Sequence, residues 1–207
     1  EERLKNVPDF CKRLKWFKKY RRENDFYAVM EDIKEGEDIL LSLIPKPRLE
    51  KLLHALLDEK EFLSENGIRS LSKIHETPYS IEIAGQSLGL QYEPGESSTG
   101  LFGGNSNWRG PVWMPMNFLI LQSLQEVHKY YGQDFKVECP TDSGNFVALD
   151  QVITDLANRL VGLFKPDENG NRPIHDGNEK YQNDPHFKDL VLFYEYFHSD
   201  TGRGVGA

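Results

Sequence analysis

Gly103-Gly104-Asn105-Ser106-Asn107-Trp108-Arg109-Gly110-Pro111-Val112-Trp113-Met114-Pro115-Met116-Asn117-Phe118-Leu119-Ile120-Leu121 passes from a polar, glycine-bearing loop straight into an apolar helix. Pro111 opens that helix, Gly132 closes it, and Pro115 falls within the first turn, where a missing N–H costs least. From Val112 to Leu121 the segment is apolar nearly all round, which predicts burial on every side. The loop half carries the chemistry. A glycine pair lets backbone approach a ligand closely. Two tryptophans and an arginine then meet at a helix start, where free N–H groups point outward and favour an oxyanion. Indole faces stack on the apolar faces of sugar rings, while Arg and Asn donate to hydroxyls or a carboxylate. A plainer arrangement fits the same residues: Trp113 packs in a core and Trp108 caps it.

Helical patterning extends to both sides of this stretch. Residues 7–23 space Phe10, Leu14, Phe17 and Tyr20 at helical intervals, with Pro8 in the first turn. The other face is basic, because residues 1–22 hold nine Lys/Arg against three Asp/Glu; it is a solvated face or a site for an acidic partner. Pro45 and Pro47 open a helix from Arg48 to about Leu63, which Asn66-Gly67 ends. A further helix runs from about Val147 to Phe164 with one apolar stripe, and a short one is expected around Phe187 to Phe197. Between Ile68 and Ser106 the texture changes. Tyr79–Ile83 and Leu88–Tyr92 alternate with period two around Gly85-Gln86, which reads as a hairpin within a long, functional loop. The expected class is mostly α, one domain without an internal linker.

Composition narrows the function. With 33 acidic and 25 basic residues the 207-residue chain has a formal charge of −8, which argues against broad affinity for nucleic acid or anionic lipid. No stretch approaches the ~18 apolar residues of a membrane span, and the first residues carry no apolar signal segment. Two widely separated cysteines, Cys11 and Cys139, make neither a disulfide framework nor a zinc site; they favour a reducing compartment, and the expected location is cytoplasmic. The six histidines show no metal-ligand spacing, there is no phosphate loop, and neither a metal nor a cofactor is expected.

A second constellation lies near the end of the chain, in Leu192-Phe193-Tyr194-Glu195-Tyr196-Phe197-His198-Ser199-Asp200-Thr201-Gly202. A carboxylate amid four aromatic residues is open to desolvation, which suits proton transfer. Equally, Glu195 reads as the exposed position of an amphipathic helix.

Together these two motifs carry a resemblance. Gly104–Trp113, followed by Asn117, resembles the Trp-Arg-Gly-Pro-(Ile/Val)-Trp motif of glycoside hydrolase family 63, which includes processing α-glucosidases and bacterial mannosylglycerate hydrolase relatives. Phe193–Gly202 resembles the same family's C-terminal segment, and Glu93–Ser97, Leu101–Gly104 and Asp134–Pro140 resemble its bacterial members, so the likeness runs from about Leu41 to the end. The resemblance implies an (α/α)6 toroid that hydrolyses α-linked glycosides with inversion, using one carboxyl as acid and another as base. By position in the motif, Glu195 matches the general base, and Trp108 and Arg109, with Asn107 and Trp113, match the pocket around the sugar. The family's general acid belongs to a segment upstream of these motifs, and nothing in residues 1–44 looks like it. Residues 1–207 therefore read as a single partial domain, the C-terminal portion of such a catalytic domain. Its partners are an oligosaccharide or small glycoside and the rest of the catalytic domain upstream, and alone it is expected to hydrolyse poorly. A non-catalytic carbohydrate-binding module and a helical interaction scaffold remain the other classes compatible with the residues.

Overall fold

The computed structural model describes residues 7–23, 29–30, 41–42, 44–100, 106–176 and 178–206. The Gly103-Gly104 pair, Leu101, Phe102 and Asn105 lie outside the described residues, as do residues 31–40 and Leu43. Among the described residues there are four helices of eleven residues or more: α1 (Pro8–Glu23), α2 (Lys46–Leu56), α3 (Met114–Tyr131) and α4 (Leu149–Gly162). A one-turn helix α5 spans Glu179–Asn183. The strands pair two by two, all antiparallel: β1 (Val29–Met30) with β2 (Leu41–Ser42), β3 (Leu63–Ser64) with β4 (Gly67–Ile68), β5 (Tyr79–Ile83) with β6 (Gln86–Leu90), β7 (Lys136–Glu138) with β8 (Phe146–Ala148), and β9 (Tyr196–Phe197) with β10 (Gly204–Val205). The architecture is thus mixed, helices joined by small antiparallel pairings, rather than mostly α. Among the described residues no barrel forms.

The main core is built from α2, α3 and α4. Leu53 and Leu57 meet Leu124 and the stripe Leu149–Val152–Leu156, with Ile68, Phe135 and Val137 filling between them. Leu149, Val152, Leu156 and Leu160 are all buried at three- and four-residue spacing, so the periodicity of α4 matches its packing. Arg159 fastens the same helix to β3, donating to the Ser64 carbonyl at 2.8 Å while Asp155, one turn earlier, holds its guanidinium at 2.8 Å.

Several elements differ from expectation for local reasons. Asn66-Gly67 does not end α2, which stops at Leu56; it belongs to the β3–β4 turn. Gly67 has φ +130, and a Cβ there would sit 2.8 Å from Leu160, so the turn can lie on α4 only with glycine. The β5–β6 hairpin closes over Ala84-Gly85, both at positive φ, which starts the second strand at Gln86 rather than Leu88. The segment 187–195 is not helical. Tyr196-Phe197 instead extends into a strand, because it finds backbone partners on both sides. Finally, α3 is not buried all round: Asn117 and Leu124 are buried, while Met116, Phe118 and Leu119 are exposed.

A row of backbone pairings connects the distant segments. Leu63 pairs with Ile68, Arg69 bridges to Val112, Val112 bridges to Phe197, and Phe197 pairs with Gly204. Val112 exchanges both bonds with Phe197, at 2.8 and 2.9 Å. Beside this row, the Arg69 N–H donates to the Phe62 carbonyl, so Ile68 occupies the alternate position of the hairpin. The Asn117 side chain supplies what Ile68 then needs: its Oδ1 accepts from the Ile68 N–H at 2.8 Å and its Nδ2 donates to the Ile68 carbonyl at 3.0 Å. One amide side chain thus stands in for a strand.

Asn117→Leu keeps the volume and leaves both Ile68 groups buried without that partner. The expected loss is about 2–4 kcal/mol, from two unsatisfied groups at ~1–2 kcal/mol each. Chemical unfolding of the full-length protein checks it; a change below ~0.5 kcal/mol would show that Asn117 is dispensable.

Candidate active site

Backbone pairing of Val112 with Phe197 brings the two sequence motifs side by side, and their side chains then complete one surface. Trp108 lies flat on Trp113, with ring centroids 3.8 Å apart and planes 6° apart, and Trp113 stacks in turn on Tyr196 at 4.9 Å. Trp113 is buried and Trp108 is 42% exposed, so the stack runs from core to surface and ends in an open indole. The Trp113 Nε1–H donates to the Asn107 carbonyl at 2.8 Å, which fixes the inner ring in its plane. Burial pushes the Tyr196 hydroxyl up from its ordinary pKa, while a hydrogen bond from the Asn107 backbone pulls the other way.

Glu195 is the residue before β9 and is exposed. It lies in a bend rather than on an amphipathic helix. Ser106, two residues before Trp108, donates from Oγ to Glu195 Oε1 at 2.8 Å. On the other side Gly206, at φ +75, passes close by: a Cβ there would come within 3.0 Å of Glu195 Oε2. The carboxylate is therefore steered by its neighbours while remaining open to solvent.

Asn107 and Arg109 work behind this surface. Asn107 is fully buried, and its Nδ2 donates to the carbonyls of Glu93 and Gly95, both at 2.8 Å, while its Oδ1 accepts the Arg109 N–H at 2.9 Å. Arg109 is 3% exposed; its Nη2 pairs with Glu93 at 2.8 Å and also donates to Ser97, and its Nη1 donates to Thr99 at 3.0 Å. Its Nε is buried with no hydrogen-bond partner among the described residues. Both side chains, expected to face a ligand, spend most of their donors on the 93–99 loop. Of the four residues expected to touch sugar, Trp108 alone presents an open face here.

Sequence reasoning left three contributors without a role. Glu93 anchors Arg109 and accepts both the N–H and the hydroxyl of Ser98, at 3.0 and 2.5 Å. Ser106 orients the carboxylate. Tyr92 ties the ends of the site together: its hydroxyl pairs with Ser199 Oγ at 2.6 Å and accepts from Arg69 Nε at 3.1 Å. Among the described residues no cluster of His, Cys, Asp and Glu could hold a metal ion, and no helix is long and apolar enough to cross a membrane.

Comparison with known proteins gives the family. Residues 39–207 match the family described as the Mannosylglycerate hydrolase MGH1-like glycoside hydrolase domain. The chain belongs to that family, and it is a relative of glycoside hydrolase family 63. It is similar to the Uncharacterized protein YMR196W of Saccharomyces cerevisiae, 50% identical over 99% of this chain and 19% of that protein. It is also similar to the Mannosyl-oligosaccharide glucosidase of the same yeast, 27% identical over 60% of this chain and 12% of that one. A Probable mannosyl-oligosaccharide glucosidase of Schizosaccharomyces pombe is 35% identical over 42% of this chain and 8% of its own length. The chain thus spans about a fifth, 19%, of the first of these relatives, and less of the other two.

Two histidines set an acid limit on this part of the fold. Burial holds both His175 and His198 below the ordinary imidazole range; Arg172 adds to the effect at His175, and at His198 Arg203 adds to it while Asp200 and Asp176 oppose it. A depressed folded pKa means that the unfolded chain takes up protons first. The contribution of these two imidazoles to stability is therefore fully present above the ordinary histidine pKa of about 6.5 and is lost as pH falls below it. The melting temperature of the full-length protein should fall from about pH 6.5 downwards, and less so in His175→Gln; identical slopes in the two proteins would remove His175 as a cause.

Proposed function

We propose that this chain is the base-bearing C-terminal portion of one catalytic domain, an (α/α)6 toroid that hydrolyses α-linked glucosides or related oligosaccharides with inversion. One observation carries the reading: the two motifs meet so that an open carboxylate, Glu195, is held by Ser106 beside the Trp108–Trp113–Tyr196 stack. The family match and the two glucosidase relatives support the substrate class. The exposed apolar side chains of α3, Met116, Phe118 and Leu119, suit a helix that a closed toroid covers.

Trp108 offers its outer face to a sugar ring, with C–H groups on the indole. Glu195 takes a proton from a water on the far side of the scissile bond, while a second carboxyl, contributed upstream, protonates the leaving oxygen. Ser106 keeps one carboxylate oxygen occupied, which leaves the other for that water. Trp113, Asn107 and Arg109 are positioning residues: they hold the loop and the stack that present Trp108.

Glu195→Gln in the full-length protein removes the base and keeps the shape. With an α-glucoside, kcat should fall by about 10²–10⁴-fold, while the affinity of the same sugar, measured calorimetrically, stays within ~3-fold. Proton NMR of the first-formed product should show the β-anomer. Unchanged kcat would remove Glu195 from the mechanism, and a first-formed α-anomer would remove inversion.

A further inference from the structure

The residue that follows β10, Gly206, comes back onto the proposed base. β9 and β10 pair Phe197 with Gly204 and Tyr196 with Val205, and the next step of that register sets Gly206 opposite Glu195. Residues directly opposite in an antiparallel pair ordinarily keep their Cβ atoms about 4.5–5.5 Å apart. A Cβ on Gly206 would lie 3.0 Å from the Cβ of Glu195, 3.0 Å from its Oε2 and 2.8 Å from Cε1 of Tyr196. The backbone therefore leans onto Glu195 more closely than two facing side chains allow. It does so at a φ of +75, a conformation that glycine adopts without steric cost.

The atoms that such a Cβ would meet are poorly placed to give way. Tyr196 is 1% exposed, and its ring is backed by Trp113 at 4.9 Å. Val205, buried in the same cluster as Trp113 and Tyr196, anchors β10 beside them. The Cβ of Glu195 moves only with its own backbone. Its Oε2 can turn aside, but the two oxygens belong to one rigid carboxylate, and Oε1 accepts from the Ser106 hydroxyl at 2.8 Å. A turn that relieves Oε2 carries Oε1 away from that donor. The side chain of Glu195 thus has Ser106 at one oxygen and a bare Cα beside the other.

We propose that Gly206 is a positioning residue for the base: its missing side chain lets the end of β10 flank Glu195 while the carboxylate keeps its bond to Ser106. The proposal rests on the reading of Glu195 given above and deepens it, because it names what fixes the oxygen assigned to the attacking water.

The test uses the full-length protein with an α-glucoside. Gly206→Ala should lower kcat by about 10–10²-fold, the cost of misplacing a reacting group by on the order of 1 Å. Calorimetric sugar binding should keep its stoichiometry, with an affinity within ~3-fold, which shows that the molecules counted are folded. Gly206→Asn should lose at least as much, since asparagine accepts a positive φ more readily than alanine but brings the same Cβ. Unchanged kcat in Gly206→Ala, recovery in Gly206→Asn, or loss of stoichiometric binding in both variants would overturn the proposal. Adding Gly206→Ala to Glu195→Gln asks whether the effect passes through the carboxylate. No further fall in kcat is expected, whereas losses that multiply would make Gly206 a matter of general structure and overturn its role. The base itself fails on a different result, unchanged kcat in Glu195→Gln alone, which takes the proposal with it. A fall there with multiplied losses in the double variant removes Gly206 and leaves the base standing.

Discussion

Everything at the candidate active site depends on the backbone of one residue, Val112. Its N–H and C=O both bond to Phe197, and its other edge bridges to Arg69. Three segments far apart in the chain are thereby held at strand spacing, on the order of 4.8 Å between neighbours. Val112 and Phe197 are themselves fully buried, so water cannot compete for the pairing. Trp113 and Tyr196, the next residues along and before, are then forced into contact. The stack and the placement of Glu195 follow from a single register.

Around that register the protein replaces regular sheet with side chains. Asn117 completes Ile68 as a neighbouring strand would, and Asn107 does a similar service for the carbonyls of Glu93 and Gly95. Asn66 reaches the Ser199 carbonyl at 2.9 Å, and the Ser199 N–H reaches Pro94 at 3.1 Å. Short strands with amide side chains at their ends satisfy buried backbone without extending the sheet.

The helices were legible because their signals are periodic. The stripe of α4 and the proline-led entry to α3 can be read from a dozen neighbouring residues. The meeting of the two motifs could be anticipated only through family resemblance, since no local pattern links Ser106 to Glu195, 89 residues later. Tyr196-Phe197 was read as helix because apolar density looks alike in a short helix and a two-residue strand, and the deciding partner, Val112, is distant in sequence. Arg109 and Asn107 looked outward for a related reason. A polar side chain beside glycine suits either a ligand or a loop, and the Glu93 carboxylate that claims Arg109 comes 16 residues earlier. The full burial expected of α3 overreached because periodicity reports which faces are apolar, not which neighbours arrive to cover them.

The tryptophan stack has one more consequence. An isolated surface indole rotates among several rotamers and must give up that freedom when a ligand settles on it. Trp108 has given up much of it: a parallel ring with its centroid 3.8 Å away, itself pinned through Nε1 and backed by Tyr196, favours one orientation of the plane. The ordering cost is met during folding, by the core, rather than at the moment of encounter. A flat molecule arriving there meets a face already set in its plane, and selectivity can come from shape instead of from accommodation.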